Sequence, residues 1–400
     1  MLVGDAPRGV VIIGATGSIG RAALQVVALH PERLRVAALA ALSSWEEACQ
    51  VARASGAEAL ALADPIAARR ARAALDGSGI AVLDGEDGVR AVAAWPTASI
   101  TLVAPTGLAG LGPVLAALEA GRDVALANKE TLVAAGRLVT STARRHGARL
   151  LPVDSEHSGI FQCLRGRQAQ AVRRLWLTAS GGPFLRWSAE RLATATPEEA
   201  LRHPTWRMGA RVTIDSATLF NKGLEVIEAS WLFGVTPESV QVLVHPQSVV
   251  HSLVEYVDGS FLAQCAPPDM RLPIAHALSY PEVWPQDAWP RLDLSAIGRL
   301  DFEPPDVERF PCLGLVREAA RVGRGAPAAA NAADEVAVAR FLREEIAFLD
   351  IPRVVEAALA AHTPVDEGDL DALWAADRQA RHVAGQWRAR VQSAAQGGGR

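Results

Sequence analysis

The two lysines of the chain are the residues whose type and setting most clearly indicate chemistry. They stand among 40 lysine and arginine residues, and both fall in polar clusters, Asn128-Lys129-Glu130 and Asn221-Lys222-Gly223-Leu224-Glu225. Lysine places a compact, rotatable charge where the planar fork of arginine does not fit. The pattern predicts that Lys129 and Lys222 bind a ligand. The alternative is that they are two ordinary cations on a solvated face.

The Lys222 cluster contains the groups that a phosphorylated ligand needs. If the chain is helical from Leu219, Asn221 lies one turn from Glu225 and Lys222 lies three residues from it. With Ser216, an ammonium group, an amide, a hydroxyl and a carboxylate then converge. Cations and donors suit a phosphate, and carboxylate oxygens suit a metal ion. The cluster therefore predicts a site for a phosphorylated, metal-chelated polyol, and a plain surface ion pair is the alternative.

Two further carboxylates follow an apolar run in the segment Leu151–Ser158. If this segment is extended, Asp154 and Glu156 point to one face, because strand side chains alternate. Neighbouring carboxylates repel each other unless a cation lies between them. Oxygen ligands suit Mg²⁺ or Mn²⁺, and the sequence has no nearby cysteine or paired-histidine spacing that would favour zinc. The segment predicts a divalent metal site, and a solvated acidic turn is the alternative.

A glycine-rich turn near the start of the chain predicts a nucleotide site. Gly14, Gly17 and Gly20 follow the apolar residues 10–13 in a G-x-x-G-x-x-G pattern. In such a turn the glycines permit a sharp bend, close approach of a pyrophosphate and tight helix packing. The N-terminus of the following helix attracts phosphate. A glycine turn without a ligand is the alternative.

The residues after the second predicted strand should select the dinucleotide. An acidic residue there binds the ribose 2′-hydroxyl of NAD, and a basic residue binds the 2′-phosphate of NADP. Leu42-Ser43-Ser44 provides neither. The missing acid argues against NAD, and the hydroxyls of Ser43 and Ser44 are able to hold a phosphate. The pattern therefore favours NADPH.

Two more segments fit a substrate pocket. Thr178–Phe184 puts Ser180 beside a paired-glycine turn, which is typical of phosphate cradles and also of plain loops. Residues 203–209 combine a histidine with Trp206 and Met208. This segment predicts a flexible lid that excludes water from a bound ligand. The alternative is that the tryptophan and the methionine are core residues.

Alternating apolar strands and amphipathic helices must position the nucleotide turn. The predicted strands are residues 10–13, 36–42, 59–62, 100–103 and 123–126, and the predicted helices are 20–29, 45–55 and 112–120. Such alternation is typical of an α/β fold with a doubly wound parallel sheet. We therefore predict an N-terminal Rossmann-like NADPH-binding domain over residues 1–150.

The rest of the chain changes character. Polar, sequence-complex stretches over residues 151–290 predict a central α+β catalytic domain that binds the metal and the substrate. A proline-rich linker is expected at 291–311, followed by a small C-terminal helical domain at 312–392. The glycine-rich tail, 393–400, is expected to be disordered.

Composition excludes several classes of protein. Half of the residues are hydrophobic and the net charge is −4, which fits an ordered globular protein without the basic surface that nucleic acid requires. No apolar stretch reaches the length of a membrane span, and the N-terminus lacks a signal-peptide pattern. The four cysteines are far apart in the sequence. We therefore expect no membrane association, reduced thiols and a cytoplasmic location.

Together, these motifs and their order closely resemble the 1-deoxy-D-xylulose 5-phosphate reductoisomerase family from residue 10 to about 360. The motifs that carry the resemblance are Gly14–Gly20, Ala127–Glu130, Pro152–His157, Ala179–Phe184, His203–Gly209, Asn221–Glu225 and His245–His251. The resemblance implies isomerisation and NADPH-dependent reduction of 1-deoxy-D-xylulose 5-phosphate to 2-C-methyl-D-erythritol 4-phosphate. This metal-dependent reaction belongs to non-mevalonate isoprenoid precursor biosynthesis. The resemblance also implies a homodimer.

The resemblance further implies a role for each matching residue. The implied ligands of Mg²⁺ or Mn²⁺ are Asp154, Glu156 and Glu225, and the implied catalytic residues are Lys129 and Glu156. The implied substrate-binding residues are Lys129, Ser155, Glu156, Ser180, His203, Trp206, Ser216, Asn221, Lys222 and Glu225. The implied cofactor-binding residues are Thr16, Gly17, Ser18, Ile19, Asn128, Glu130 and Gly209, to which the pattern after the second strand adds Ser43 and Ser44. Met270 is expected near the nicotinamide.

One departure from the family and two alternatives remain open. Many family members carry Gly-Lys-Asn where this chain has Leu42-Ser43-Ser44, so the usual 2′-phosphate contact is absent. Another NAD(P)-dependent aldehyde or semialdehyde oxidoreductase would need the glycine turn but not the three carboxylates, so metal dependence separates the two. A nucleotide-sensing protein would bind NADPH without turning over any sugar phosphate.

Overall fold

The first half of the molecule is built on a seven-stranded parallel sheet. The computed structural model describes residues 6–206 and 208–389, so the predicted tail at 393–400 lies outside the described residues. The sheet comprises β1 (Arg8–Ile13), β2 (Leu34–Ala41), β3 (Ala59–Leu62), β4 (Ala81–Asp84), β5 (Ile100–Val103), β6 (Asp123–Leu126) and β7 (Leu150–Pro152). Its order is β4-β3-β2-β1-β5-β6-β7. The chain therefore winds outward in both directions from β1, as the predicted doubly wound fold requires.

Helices cover both faces of this sheet. They are α1 (Ser18–Leu29), α2 (Trp45–Ser55), α3 (Pro65–Ala74), α4 (Gly85–Ala93), α5 (Leu111–Glu119) and α6 (Lys129–His146). In β1, Val10 and Ile12 enter one core while Val11 and Ile13 enter the other. Burial on both faces explains why the strands read as continuous apolar runs. The sequence prediction lacked α3, β4, α4, α6 and β7. Strand β4 is short, lies at the sheet edge and is half exposed, so it has no continuous apolar run.

A second, four-stranded sheet follows. Its strands are β8 (Val172–Ala179), β9 (Val240–Val244), β10 (Val250–Tyr256) and β11 (Phe261–Cys265), in the order β11-β10-β8-β9. The helices in this part of the chain are α7 (Ser155–Cys163), α8 (Ala189–Leu192), α9 (Pro197–Ala200), α10 (Ala210–Ala217), α11 (Phe220–Phe233) and α12 (Arg271–Ser279). Helix α12 packs on α1 and contributes to a core of the seven-stranded sheet. β10 is antiparallel to both of its neighbours, whereas β8 and β9 are parallel. The mixture of strands and helices confirms the α+β character predicted for this region.

The segment expected to be a linker is fastened to the second sheet. It contains a short helix, α13 (Leu294–Ile297). Beyond it, the backbones of Val244 and Glu303 exchange two hydrogen bonds of 2.8 and 2.9 Å. The segment is therefore paired with the end of β9 through a single bridge.

The last four helices share a hydrophobic core with the second sheet. They are α14 (Cys312–Val322), α15 (Ala326–Leu342), α16 (Ile351–Ala360) and α17 (Leu370–Gln386). One continuous cluster of buried residues joins Leu177 of β8 to Phe220 of α11 and Phe341 of α15. A side chain at Gly223 would lie 2.6 Å from Val316 Cβ. That glycine therefore allows α11 and α14 to approach closely.

None of the helices in the described part of the chain combines the length and the apolar character that crossing a membrane requires.

Candidate active site

A cavity of about 710 Å³ opens at the carboxyl ends of β1, β5 and β6. Strand order reverses between β1 and β5, and ligands of open α/β sheets bind at such a switch point. Residues that follow β1, β5 and β6 line one side of the cavity, among them Gly17, Pro105 and Lys129. Residues from α7, α10 and α11 line the other side. Its volume is in the range of small-molecule sites.

The glycine turn forms the nucleotide end of the cavity. Gly14 has φ +88°, a conformation that favours glycine. A side chain at Gly20 would lie 2.2 Å from the Gly14 carbonyl oxygen, so α1 packs against the turn only with glycine there. Gly17 and Ser18 are exposed at the N-terminus of α1, and both line the cavity with Ile19. The turn thus presents free backbone N–H groups to a ligand.

Asn128 and Glu130 hold a neighbouring loop. The Asn128 amide donates to the carbonyl oxygens of Pro105 and Gly107 at 2.7 and 2.8 Å. Glu130 accepts hydrogen bonds from the Gly107 N–H at 3.0 Å and from the Asn128 amide at 2.9 Å. Glu130 lines the cavity, while Asn128 is buried and its amide is occupied within the protein. The Asn128 side chain therefore shapes the loop beside the nucleotide end.

The opposite end of the cavity is a cluster of buried charges. Lys129 Nζ lies 2.5 Å from Asp154 Oδ2 and 3.0 Å from Glu225 Oε1. Lys222 Nζ lies 2.6 Å from Glu156 Oε1 and also contacts Glu225. The two lysines therefore occupy the space between the three predicted carboxylate ligands. The structure brings all five groups together, although they come from α6, α7 and α11 and their flanking residues.

The expected extended conformation at Asp154 and Glu156 is wrong. Asp154 is instead the N-cap of α7, and its Oδ1 accepts a long hydrogen bond of 3.4 Å from the Glu156 N–H. A carboxylate at this position accepts hydrogen bonds from free N–H groups and interacts favourably with the positive end of the helix dipole. Glu156 lies in the first turn of α7, where the Ser155 hydroxyl donates to it. The two carboxylates converge through a capped helix end.

The predicted spacing within α11 is confirmed. Helix α11 begins at Phe220, so Asn221 and Lys222 project from the same turn toward Glu225. The Asn221 amide donates to Glu225 Oε1 at 2.6 Å, and the Asn221 oxygen accepts from Lys129 at 2.8 Å. Leu219, just before the helix, has φ +60°, which costs a leucine of order 1 kcal/mol or more. This strained residue sets the direction in which the polar turn enters the cavity.

Burial and repulsion shape the protonation of the cluster. Burial, with repulsion from Glu225 and Asp154, raises the pKa of Glu156 to about 7. Burial also raises the pKa of Asp154, but Lys129 and His157 outweigh it and hold that pKa well below the usual range. Glu228, which is fully buried and lies 3.4 Å from His157, has a pKa that burial raises to about 8. The cluster contains more carboxylates than lysines, so it favours an additional cation.

The donor set fits a hard divalent ion. Asp154, His157 and Glu225 each offer an atom within 4.8 Å of the others, a grouping that contains His157 where the sequence prediction had Glu156. His157 Nε2 lies 2.9 Å from the Glu225 carbonyl oxygen and therefore carries a proton. Burial lowers the His157 pKa, but Glu228 and Asp154 outweigh it and raise that pKa to about 9. Mg²⁺ and Mn²⁺ prefer oxygen ligands, which Asp154 and Glu225 offer in this group and Glu156 offers beside it.

A further part of the lining is a cradle of hydroxyl, imidazole and backbone donors. His203 Nδ1 accepts the N–H groups of Thr205 and Trp206 at 3.2 and 2.9 Å. Its Nε2 therefore carries the proton and donates to Ser180 Oγ at 2.9 Å. A side chain at Gly182 would lie 2.7 Å from the Ser216 carbonyl oxygen, which seats the glycine turn against α10. The cradle adjoins Lys222 and Asn221, as a phosphate site requires.

The predicted lid, residues 203–209, lies over the cavity, and all of it except Arg207 is among the described residues. Trp206, Met208 and Gly209 line the cavity with Met270. The Trp206 ring lies 6.0 Å from the buried ring of His251. Trp206 therefore contacts His203 of the cradle through its backbone N–H and approaches His251 with its ring.

Some predicted residues lie outside the lining, and some lining residues were missed. Thr16, Ser43 and Ser44 are not among the residues that line the cavity, and both serines are exposed. Their cofactor roles stay predictions. The sequence reasoning assigned no role to His251, although it lines the cavity and burial lowers its pKa to about 4. A lone histidine in an apolar strand carried no signal that separated it from a core residue.

Comparison with known proteins agrees with this geometry. The family model of 1-deoxy-D-xylulose 5-phosphate reductoisomerase matches residues 10–136, and models of the C-terminal domains of the same enzyme match residues 150–233 and 265–383. A relative of that name from Heliobacterium modesticaldum is 53% identical over 377 residues, covering 94% of this chain and 96% of the relative. Another from Ectopseudomonas mendocina is 50% identical over 388 residues, covering 95% and 98%.

Solved structures show the same similarity. The reductoisomerase from Zymomonas mobilis in complex with NADPH is 45% identical, with a TM-score of 0.89 over 95% of this chain and 98% of that one. A DOX-P reductoisomerase in complex with NADPH, fosmidomycin and magnesium is 42% identical, with a TM-score of 0.90 over 94% and 97%. The sequence, the fold and the arrangement of the cavity agree, and the chain belongs to the 1-deoxy-D-xylulose 5-phosphate reductoisomerase family.

Proposed function

We propose that the chain converts 1-deoxy-D-xylulose 5-phosphate to 2-C-methyl-D-erythritol 4-phosphate with NADPH and Mg²⁺ or Mn²⁺. The observation that carries the proposal is one cavity lined by a glycine turn, by a charged cluster and by a cradle of hydrogen-bond donors. The relatives crystallised with NADPH and with magnesium support both cofactors. A dehydrogenase of simple aldehydes has no use for the three buried carboxylates.

The substrate is held at its two ends. Ser180, Ser216, Asn221 and Lys222 donate to its phosphate, with the Nε2–H of His203 as a further donor. The hydroxyl and carbonyl groups then extend toward Lys129, Ser155 and the carboxylates. When bound among Asp154, Glu156 and Glu225, the divalent ion supplies a Lewis acid that polarises the substrate ketone.

Lys129 and Glu156 perform the proton movements at the reacting oxygens. Glu156 accepts the proton of a substrate hydroxyl, since it lines the cavity beside Lys222 and Ser155. Ser155, which donates to Glu156, orients that carboxylate. Lys129 remains a cation, because Asp154 and Glu225 outweigh its burial and raise its pKa, and it donates to the developing negative oxygen.

The nucleotide end delivers the hydride to the rearranged aldehyde. Gly17, Ser18 and Ile19 hold the pyrophosphate of NADPH, with Thr16 at the turn, while Glu130 and Gly209 lie at the nicotinamide side. Trp206 and Met208 close over the substrate and exclude water from the aldehyde. Ser43 and Ser44, at the N-terminus of α2, hold the 2′-phosphate. Without the lysine of related chains, this contact gives a weaker preference for NADPH over NADH.

We also propose a cytoplasmic homodimer in which residues 1–150 bind NADPH and residues 151–290 hold the metal and the substrate. The four cysteines are free, which fits a reducing compartment. Within the described residues, β11 has a strand neighbour on one side only, and Phe261 and Leu262 on it are exposed. A second copy that covers this edge would bury them. Light scattering of the wild-type chain and of Leu262→Glu tests this assembly.

The test of the proposed function is NADPH oxidation with 1-deoxy-D-xylulose 5-phosphate, using enzyme stripped of metal and then supplied with Mn²⁺. We expect oxidation only with both substrate and metal, and formation of 2-C-methyl-D-erythritol 4-phosphate. The same assay with NADH, on the wild type and on the Ser43→Ala/Ser44→Ala variant, measures the contribution of the two serines. Folded, NADPH-binding protein that leaves this substrate unreacted with metal present would contradict the proposal.

A further inference from the structure

Arg211 joins three parts of the molecule behind the cavity. It is the second residue of α10, which directly follows the lid. Its Nη1 donates to Glu130 Oε1 on α6 and to Glu335 Oε1 on α15, both at 2.8 Å. Its Nη2 donates to Asn331 Oδ1 on α15 at 2.7 Å. One guanidinium group thus connects the nucleotide half, the lid side and the C-terminal helices.

Through Glu130, Arg211 is connected to the reacting end of the cavity. Glu130 follows Lys129 in the first turn of α6, and the same carboxylate holds Gly107 and Asn128. Moving Glu130 therefore moves the helix end from which Lys129 projects. It also moves the Pro105–Gly107 loop at the edge of the nucleotide end.

The other end of α10 reaches the phosphate cradle. This helix has eight residues and carries Ser216 in its last turn, while Gly209 at its N-cap ends the lid. Because a short helix moves as a rigid unit, the orientation of Arg211 sets both the Ser216 hydroxyl and the point where the lid leaves α10. Arg211 itself is not among the residues that line the cavity.

The C-terminal helices provide the fixed support. Glu335 Oε2 accepts from Arg381 of α17 at 2.6 Å, and Arg381 also donates to Asp377 at 2.7 Å. Helix α15 packs on α6, α10, α16 and α17, and its buried face belongs to the shared core. Asn331 and Glu335 therefore occupy positions that the surrounding helices hold in place.

We propose that Arg211 is a positioning residue that sets the separation between Lys129 at the reacting end and Ser216 at the phosphate end. This inference rests on the proposed function, since it concerns the geometry of that reaction. Only a planar fork donates to Glu130, Glu335 and Asn331 at once, and a lysine at this position would satisfy fewer of them. A displacement of about 1 Å at a reacting group can cost roughly a hundredfold in rate.

A purely structural role for Arg211 is the competing explanation. Asp215 and Asp334 lie 3.5 and 3.8 Å from the guanidinium group, so Arg211 also lies against two buried carboxyl groups. If that were its only role, a lysine would preserve the charge, and any loss would be in stability alone. The two explanations therefore differ in kcat of the folded enzyme.

The experiment compares Arg211→Lys with the matched control Arg381→Lys, which alters the same network on the side away from α10. We expect kcat of Arg211→Lys to fall at least about tenfold. The KM for the substrate and the Kd for NADPH should change less than about threefold, because the binding groups remain. Arg381→Lys should keep kcat within about twofold. Equal kcat in the wild type and Arg211→Lys, or equal losses in both variants, would overturn the proposal.

A double-mutant cycle locates the effect. Glu335→Gln removes the acceptor charge on α15. If Arg211 acts through this contact, adding Glu335→Gln to Arg211→Lys should lower kcat by less than about twofold more. Additive losses would overturn the proposal.

Hydrogen exchange of residues 210–217 supplies a readout that needs no turnover. These amides should exchange faster in Arg211→Lys and at the wild-type rate in Arg381→Lys, and unchanged exchange in Arg211→Lys would also overturn the proposal. Faster exchange in a chain whose wild type leaves the substrate unreacted would assign the failure to the proposed reaction and not to Arg211.

Discussion

The two ends of the cavity differ in the groups that form them. The nucleotide end is backbone, shaped by glycines whose missing side chains leave room for tight packing, and Gly17 and Ser18 are exposed. The substrate end consists of buried charged side chains, of which Lys222 and Glu225 are almost wholly buried. Steric exclusion maintains the first end. Mutual compensation of charges maintains the second, so the loss of one charge there leaves its neighbours unpaired.

The largest expected effect is at the substrate end. Glu225 contacts both lysines and is a proposed metal ligand. Glu225→Gln keeps the shape but removes the charge, and we expect kcat/KM to fall by roughly 10³-fold, equivalent to about 4 kcal/mol. Steady-state kinetics over a Mn²⁺ titration measures this. Circular dichroism and NADPH binding must show a folded chain, and near-normal activity would remove Glu225 from the metal site.

At the nucleotide end, the expected effect is smaller and steric. Gly20→Ala brings a methyl group against the Gly14 carbonyl oxygen, and such overpacking costs about 1–3 kcal/mol. Fluorescence titration should show NADPH affinity reduced by roughly ten- to a hundredfold if the strain falls on the bound turn. The control is Gly314→Ala on α14, where a side chain meets open space. Equal affinity in the two variants would contradict this view of the turn.

A third prediction concerns the pH dependence of metal binding. Glu156 has a pKa of about 7 and must lose its proton to act as a ligand. The apparent affinity for Mn²⁺ should therefore rise about tenfold between pH 6 and pH 8. Calorimetry in two buffers would also detect the released proton. In Glu156→Gln the affinity should be weaker and this rise should disappear, and an identical rise in that variant would assign the proton to another group.

The last prediction concerns the stability of the chain and a buried carboxyl group behind the cavity. Burial and repulsion from Asp215 raise the Asp334 pKa well above its ordinary value. The folded state therefore binds a proton more tightly than the unfolded state, and stability falls as pH rises toward the folded pKa. Asp334→Asn should remove this loss and stabilise the protein by about 1–3 kcal/mol at high pH. At pH 4 the gain should vanish.

Thermal unfolding of the wild type and Asp334→Asn across this pH range tests the prediction. A gain that is largest in acid would reverse the sign and refute the assigned protonation.

The sequence predicted the local patterns of the cavity better than its long-range contacts, for a physical reason. The Gly14–Gly20 turn and α11 are local patterns, so spacing alone located them. Asp154 is the N-cap of α7. The same residues are also compatible with an extended strand, so the sequence did not distinguish the two conformations. Arg211 and Glu335 are 124 residues apart, and no periodicity links them. Long-range charge pairs of this kind appear only when the helices are packed.

The core shared by the second sheet and the last four helices has a consequence during synthesis. That cluster extends from Val133 to Ala384, and Val316 packs directly against Gly223 in the Lys222 motif. While the chain emerges from the ribosome, the seven-stranded half can fold early. The apolar face of α11 stays uncovered until α14 and α15 have left the exit tunnel, when most of the polypeptide has been synthesised. A nascent chain that stalls before α15 would therefore expose this face to chaperones and carry an unfinished substrate end.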